Sequence, residues 1–318
     1  MTSVGRRGYL VKYFKDALGG RGRVFGADNS PCSPAFAYCD GTAILPEVKK
    51  DHYVQTLLEV CIANSIDIVI PLIDPALEIL APHRDRFEKE GILLLVSPPE
   101  TIEMASDKYL TCQFAKENAI SAPQTFIDIT LALDQLTAGA LTWPVMVKPR
   151  RGSASRDITT CYDKLQLEAA FEATAEPMIQ EILKGTEYGY DLFGDREFNP
   201  VSVYCKEKLA MRAGETDKAV STADPVLIEL GHKLLKSMKL LGPADVDVVL
   251  TKDGPKLLEI NPRFGGGYPC SHMAGADFCK KIIALRNGHP LTPDIGTCPD
   301  GVCMLKQDEI IRPDWPLG

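Results

Sequence analysis

No uninterrupted apolar stretch in this chain approaches the roughly 20 residues that a bilayer-spanning helix needs. The first residues also lack the basic, apolar and small-residue succession of a secretory signal, so a cytoplasmic protein with no membrane partner is expected. Basic clusters are missing too. The net charge is −8 and the 35 Lys and Arg are dispersed, which excludes the basic face that nucleic-acid binding requires. Ten cysteines contain no C-x-x-C pair of the zinc or redox type, and most read as small buried residues in a reducing compartment. Also absent are the Gly-x-x-x-x-Gly-Lys-Ser/Thr order of a Walker loop, a full Gly-x-Gly-x-x-Gly, internal repeats, low-complexity tracts and a convincing Ser or Cys nucleophile motif. What remains is ordinary soluble composition, 45% apolar and 25% charged. At 318 residues, two or three lobes can bury roughly three quarters of the unfolded surface.

Along residues 1–97, short apolar runs at 2–4, 23–27, 67–71 and 92–96 alternate with helical patterns. That alternation predicts a parallel α/β sheet. Asp74 followed by Pro75 reads as an acidic cap and a first helical position. Ser97-Pro98-Pro99 punctuates the chain and sets the first boundary. Beyond it the pattern becomes α+β, with strands predicted at 144–148, 157–161, 177–181, 187–193, 201–204, 244–250 and 256–260. Lys252-Asp253-Gly254 between the last two is an Asp-Gly hairpin signal.

The run Leu257-Leu258-Glu259-Ile260-Asn261-Pro262-Arg263-Phe264 carries the strongest chemical signal. Alternate side chains of a strand share a face, so Glu259 and Asn261 point together and Ile260 points into the core. Across the hairpin, Asp247 or Asp245 completes an oxygen-rich cluster of the kind that holds Mg²⁺ together with substrate phosphates. Arg263 would neutralise a transferring phosphoryl group and is the candidate catalytic residue. Read as structure only, this is a solvated hairpin face. A second signal is Val145-Met146-Val147-Lys148-Pro149-Arg150-Arg151-Gly152-Ser153-Ala154-Ser155, in which a strand ends in a lysine and a small-residue loop follows that can fold backbone N–H groups over phosphates. Alone, the same segment fits an ordinary polar loop.

In order and separation these pieces closely resemble the ATP-grasp superfamily, in the branch like the large subunit of carbamoyl-phosphate synthase, and the resemblance covers essentially the whole chain. It implies a Rossmann-like parallel-sheet domain over 1–97, an ATP-grasp lid subdomain over 98–182 and a C-terminal subdomain with the metal site over 183–318. It implies that Lys108 and Lys148 bind nucleotide phosphates, that Gly152, Ser153 and Ser155 belong to the mobile phosphate loop, and that the backbone of Glu181, Ile182 and Leu183 reads the adenine edge. Glu187 would hold the ribose, although a lone strand Glu is ordinarily solvated. Asp247, Glu259 and Asn261 match the metal ligands, for two Mg²⁺ ions or substituting Mn²⁺, with Glu259 as the bridge.

The turn Phe264-Gly265-Gly266-Gly267-Tyr268-Pro269, followed by Ser271, His272 and Gly275, extends the likeness. Gly266 and Gly267 would let a loop approach the acceptor closely. His272 reads as an acid or base or as a structural histidine. Arg6 and Arg7 would attract an anionic substrate. Glu207, Arg212 and Glu215 are weaker candidates that fit exposed strand ends equally well. A Rossmann reading instead sets a phosphate on the first helix and a ribose on Asp28.

The resulting expectation is a single-headed ATP-dependent carboxylate–amine or carboxylate–thiol ligase working through an acyl phosphate. Its partners would be small-molecule carboxylates and amines, with a homodimer as the assembly considered. The alternatives are a non-catalytic or partner-dependent ATP-binding subunit and a nucleotide-cofactor oxidoreductase.

Overall fold

The computed structural model describes residues 1–152 and 157–312. Its first part is a parallel sheet assembled around a single residue. Phe25–Asp28 pairs with Gly41–Ile44, Ile68–Val69 pairs with Leu93–Leu94, and Thr2 bridges the two halves through Ala27 and Pro71. The Thr2 N–H donates to Ile70 O at 3.0 Å and Ala27 N–H donates to Met1 O at 2.9 Å. The parallel order follows from the alternation of strand and helix, but the strands are shorter than the apolar runs that mark them.

Gly41–Ile44 has no apolar run of its own and the sequence reading misses it. Gly41 pairs with Phe25, and a Cβ there would lie 2.4 Å from the Phe25 ring, so only glycine lets the two backbones meet. The helix Gly8–Leu18 buries Leu10, Val11, Phe14 and Ala17 and stops at Gly19, whose φ of 55° makes a left-handed cap. Asp74 starts the helix Asp74–Leu80 but makes no side-chain cap. This corrects the capping expectation, because its carboxylate is turned to Arg263 instead.

Next comes a four-stranded antiparallel sheet in the order Thr125–Phe126, Pro177–Glu181, Val145–Pro149, Thr159–Cys161. Helices Ile129–Thr137 and Lys164–Ala173, capped by Asp128 and Asp163, contribute Ala132 and Leu167 to its core with Val145, Val147 and Ile179. Residues 182–185 then cross to Thr186–Gly194 in a second sheet. That sheet is six-stranded and antiparallel, in the order Gly254–Asn261, Gly242–Thr251, Thr186–Gly194, Pro200–Arg212, Glu215–Thr222, Cys303–Leu305. Thr251 pairs with Gly254, leaving Lys252 and Asp253 as the turn.

Period-two alternation splits this sheet into two chemically distinct faces. Tyr190, Leu192, Val203, Val246 and Val248 pack on Leu227, Leu234 and Leu235 of the helix Pro225–Ser237. The opposite face carries Asp191, Lys206, Lys208, Asp245 and Asp247, and it forms the floor of the site. All ten cysteines are free, and Cys61, Cys161, Cys205, Cys270, Cys279 and Cys298 are buried as small core residues. No helix among the described residues is long and apolar enough to cross a membrane.

Candidate active site

Two lysines from different elements lie near one carboxylate, and one of them pairs with it. Lys108 opens the helix Lys108–Glu117, whose start is fixed by Asp107: its carboxylate accepts from Tyr109 N at 2.9 Å and Leu110 N at 3.3 Å. Asp107 is also paired with Arg150, and Lys108 N donates to Arg150 O at 3.0 Å, which ties the helix start to the end of Val145–Pro149. From there Lys108 Nζ reaches within 3.5 Å of Glu259 Oε1 and donates to Gly152 O. Lys148 comes in from the four-stranded sheet with 9% exposure. Burial and the neighbouring Lys108 charge push its ammonium down to about 8, against the pull of Glu259. The structure therefore brings Lys108, Lys148, Gly152 and Glu259 together; Ser153 and Ser155 lie outside the described residues.

Glu259 faces Asp247 across the hairpin and Asn261 faces Asp245. All four share one face, so a half-buried strip of oxygen atoms results. Asp247 is bonded to Lys208 at 2.6 Å. Its carboxyl is nevertheless held above the ordinary range by burial and by the charges of Asp245 and Glu259. No three His, Cys, Asp or Glu side chains converge as a complete metal cage among the described residues. Two carboxylates and one amide on one face form a hard-oxygen set that fits Mg²⁺, which takes its remaining ligands from water and phosphate, with Lys208 and Lys108 as the present counter-charges of Asp247 and Glu259.

Arg263 is committed within the protein. Nη1 lies 3.2 Å from Asp245 Oδ2 and 3.3 Å from Phe264 O, Nη2 lies 3.3 Å from Asp74 Oδ2, and Nε lies 3.2 Å from Asp74 Oδ1 as an ion pair without hydrogen-bond geometry. To touch a phosphoryl group it would have to release one of these carboxylates. At the junction of the two sheets, Glu181 N donates to Gln124 O at 2.9 Å, and the Glu181 carboxylate holds Lys256 at 3.0 Å. Ile182 and Leu183 follow outside any strand and are half-buried, and Glu187 is exposed opposite Val249.

The sequence reading misses the lysines of the strand Pro200–Arg212. Lys206 is completely buried, 2.6 Å from Asp191, which also accepts from Ser271 Oγ at 2.5 Å. Residues 206 and 208 share the floor, while Glu207 is on the opposite parity. The alternation Lys-Glu-Lys was visible; which parity faced inward depended on the register against Thr186–Gly194. The glycine turn lies over these groups. A Cβ at Gly265 would sit 2.3 Å from Asp245, and one at Gly267 would sit 2.4 Å from Lys206.

At the far end of that turn, Gly266 passes Glu215, and Arg7 and Lys306 stand 3.9 Å and 3.6 Å from the Glu215 carboxylate. Arg6 is exposed. Arg212 spends its donors on Asp217 at 3.0 Å and Asp308 at 2.9 Å, so the structure does not bring its charge into the Arg7 group. His272 stacks on Tyr13 with centroids 3.7 Å apart and contacts Tyr268 Oη through Nδ1 at 3.3 Å. Burial lowers its pKa, and the ring is half-buried with one face against Tyr13. Asp28, the ribose candidate of the Rossmann reading, accepts from Gly5 N at 2.9 Å and Ser33 Oγ at 3.3 Å, so it ties the first loop together.

A parallel α/β domain followed by two antiparallel sheets, with lysines and carboxylates meeting where the sheets face, defines an ATP-grasp architecture. The ATP-grasp domain model matches residues 105–267 and the PylC-like N-terminal domain model matches residues 1–95; the chain belongs to the ATP-grasp family. It is similar to the carbamoyl-phosphate synthase of Methanobrevibacter smithii, 25% identical over 74% of this chain and 68% of that protein. It is also similar to the phosphoribosylamine–glycine ligase of Listeria innocua, 24% identical over 76% and 64%. Of the carbamoyl phosphate synthase large chain of Clostridium acetobutylicum it spans only 21%. Among solved structures, the biotin carboxylase domain of the Hydrogenobacter thermophilus 2-oxoglutarate carboxylase, in complex with MgADP and bicarbonate, superposes with a TM-score of 0.74 at 16% identity, covering 94% of this chain and 72% of that one. N5-carboxyaminoimidazole ribonucleotide synthetase from Thermotoga maritima gives 0.67 at 18% identity, over 92% and 76%.

Proposed function

We propose that this chain is an ATP-dependent ligase that phosphorylates a small-molecule carboxylate and transfers the acyl group to an amine. The observation that carries this reading is the ion pair of Lys108 with Glu259, on the same sheet face as Asp247 and Asn261, with the buried Lys148 close enough to feel both charges. Two ammonium groups beside a carboxylate strip suit the β- and γ-phosphates of a nucleotide. In this reading the backbone of Glu181, Ile182 and Leu183 would meet the adenine edge and Glu187 the ribose. Asp247, Glu259 and Asn261 would hold Mg²⁺, which when bound supplies charge neutralisation at the phosphates. The chain divides in this reading at 97 and 182; at 182 it leaves the four-stranded sheet for the six-stranded one, whereas after 97 it first forms the helices Pro99–Ser106 and Lys108–Glu117, which pack on the six-stranded sheet.

The carboxylate oxygen attacks the γ-phosphorus and ADP leaves, giving an acyl phosphate. The amine then attacks the carbonyl carbon, the C–O bond to phosphate breaks, and the nitrogen gives up a proton. Lys108 and Lys148 hold the phosphates in line, and no nucleophilic side chain is required. The named ligases among the relatives support this class. Positional isotope exchange tests it: with ¹⁸O in the β–γ bridge of ATP, a competent carboxylate should induce scrambling, and ¹⁸O from a labelled carboxylate should appear in the released phosphate. Phosphate release that carries no carboxylate oxygen would refute the acyl-phosphate step.

A further inference from the structure

A cavity of about 840 Å³ lies at the amino ends of the parallel strands of the first domain, against the helix Phe278–Arg286. Met1, Phe25 and Ile68 line it, at or just before the points where neighbouring strands of that sheet begin. The residues that tie the sheet to the metal strand lie at its other edge: Asp74, paired with Arg263, follows the carboxyl end of Ile68–Val69. Ligands of open parallel sheets ordinarily bind outside the carboxyl ends of the strands, so this cavity is separate from the phosphate site.

The floor of the cavity is apolar, formed by Phe14, Leu18, Phe25, Ile66, Ile68 and Ile283. Its rim is cationic, although the whole chain carries a net charge of −8. Some of these cations are spent within the protein. Lys280 pairs with Asp277 at 2.9 Å, and Arg286 pairs with Asp67 at 3.1 Å. Arg21 and Arg23 have no carboxylate within ion-pair distance among the described residues. Arg21 donates through Nε to Leu18 O at 3.2 Å, and the Arg23 guanidinium lies over the Phe25 ring, 5.2 Å from its centroid. Asp40, whose charge also reaches Arg23, is held by Lys15 at 2.7 Å. Two exposed guanidinium groups, two residues apart, are thus left over beside an apolar hollow.

We infer that the cavity binds a small phosphate monoester with an apolar or aromatic body, the phosphate on Arg21 and Arg23 and the body over Leu18, Phe25 and Ile283. A phosphate monoester carries about 1.5–2 negative charges near pH 7, which matches the local excess, and guanidinium forks meet phosphate oxygens through paired N–H donors. A monocarboxylate would balance only one of the two arginines. Inorganic phosphate would leave the apolar floor uncovered, and the cavity has the volume of a small-molecule site rather than of a single ion. Because its walls come from the first domain and from the helix Phe278–Arg286, which Asp67 and Arg286 already tie together, an occupant adds a further cross-link and stabilises the fold.

Calorimetric titration and thermal unfolding of the full chain test this with phenyl phosphate as the probe, beside inorganic phosphate, benzoate and phenol, all at saturating MgADP so that the phosphate site is already filled. Phenyl phosphate should bind saturably and about tenfold or more tightly than each of the other three, the consequence of one missing charged or apolar contact. Arg21→Gln combined with Arg23→Gln should weaken it about tenfold or more, as should Ile283→Trp, which fills the hollow. The cooperative thermal transition and the shift produced by MgADP alone should stay as in wild type. Both arginines are exposed, so their double variant folds even where Ile283→Trp does not. Absence of saturable phenyl phosphate binding, equal binding of inorganic phosphate or benzoate, or binding that survives the double arginine substitution unchanged would overturn the inference.

Discussion

Replacing Lys148 by methionine should make the protein more stable and, at the same time, unable to hold ATP. The buried ammonium titrates at about 8, against an ordinary lysine near 10.4. At 1.36 kcal/mol for each pH unit, that difference is a folding penalty of about 3 kcal/mol, caused first by burial and then by Lys108. The sign follows from proton counts. Between the folded and unfolded pKa values the unfolded chain binds more protons, so stability rises with pH there; the penalty is complete below about pH 8 and gone near pH 10.5. Lys148→Met keeps the volume and removes the charge. Urea unfolding should show the variant more stable by about 2–3 kcal/mol near pH 7, with the gap closing by about pH 10. MgATP at roughly a hundred times its Kd should stabilise the wild type by about 2.7 kcal/mol, and this gain should be missing in the variant. A variant less stable than wild type near pH 7, or one whose gap is independent of pH, would refute the account of Lys148 as a buried charge that Glu259 offsets only in part.

Other consequences follow from the same geometry. The KM for ATP should rise as pH passes upward through about 8, since Lys148 must then take up a proton to meet phosphate; a flat profile across that range would contradict its role. Glu259→Gln removes the carboxylate shared by Lys108 and the oxygen strip and should reduce kcat/KM at least a hundredfold with little loss of stability, as steady-state kinetics and thermal melts would show. Asp74→Asn leaves the largely buried Arg263 with Asp245 as its one remaining carboxylate and should cost about 3 kcal/mol by urea unfolding; an effect below about 1 kcal/mol would mean the pair does not lock the first domain to the six-stranded sheet. Phe264→Ala opens the aromatic cluster that Phe264 forms with Phe14, Tyr268 and Phe278 and should cost about 3–5 kcal/mol.

Much of this site is legible in the chain because it is built from local patterns. Glu259 and Asn261 are two apart on a strand that follows a two-residue turn, and period-two geometry alone aims them together. Lys148 ends an apolar run, and the side-chain identities around it announce the loop. What the sequence withholds is contact between segments far apart in number. Asp74 looks like a helix cap until the fold sets it beside Arg263, 189 residues away. The parity of Lys206 and Lys208 depends on which neighbour the strand takes. Gly41–Ile44 is a strand through its pairing with Phe25–Asp28, where Gly41 leaves room for the Phe25 ring. Arg212 sits in a segment rich in charge, and only the three-dimensional course of the chain gives it Asp217 and Asp308 while leaving Glu215 to Arg7 and Lys306.

The central claim is that two lysines and a carboxylate strip position ATP for transfer to a substrate carboxylate. ADP and phosphate release by the purified chain with MgATP, across pools of amino acids, small carboxylic acids and amines, tests it most directly when run beside Lys148→Ala and Glu259→Gln. The account predicts release that depends on an acceptor and is abolished by both substitutions. Release that proceeds without any acceptor, or that survives both substitutions, would contradict it.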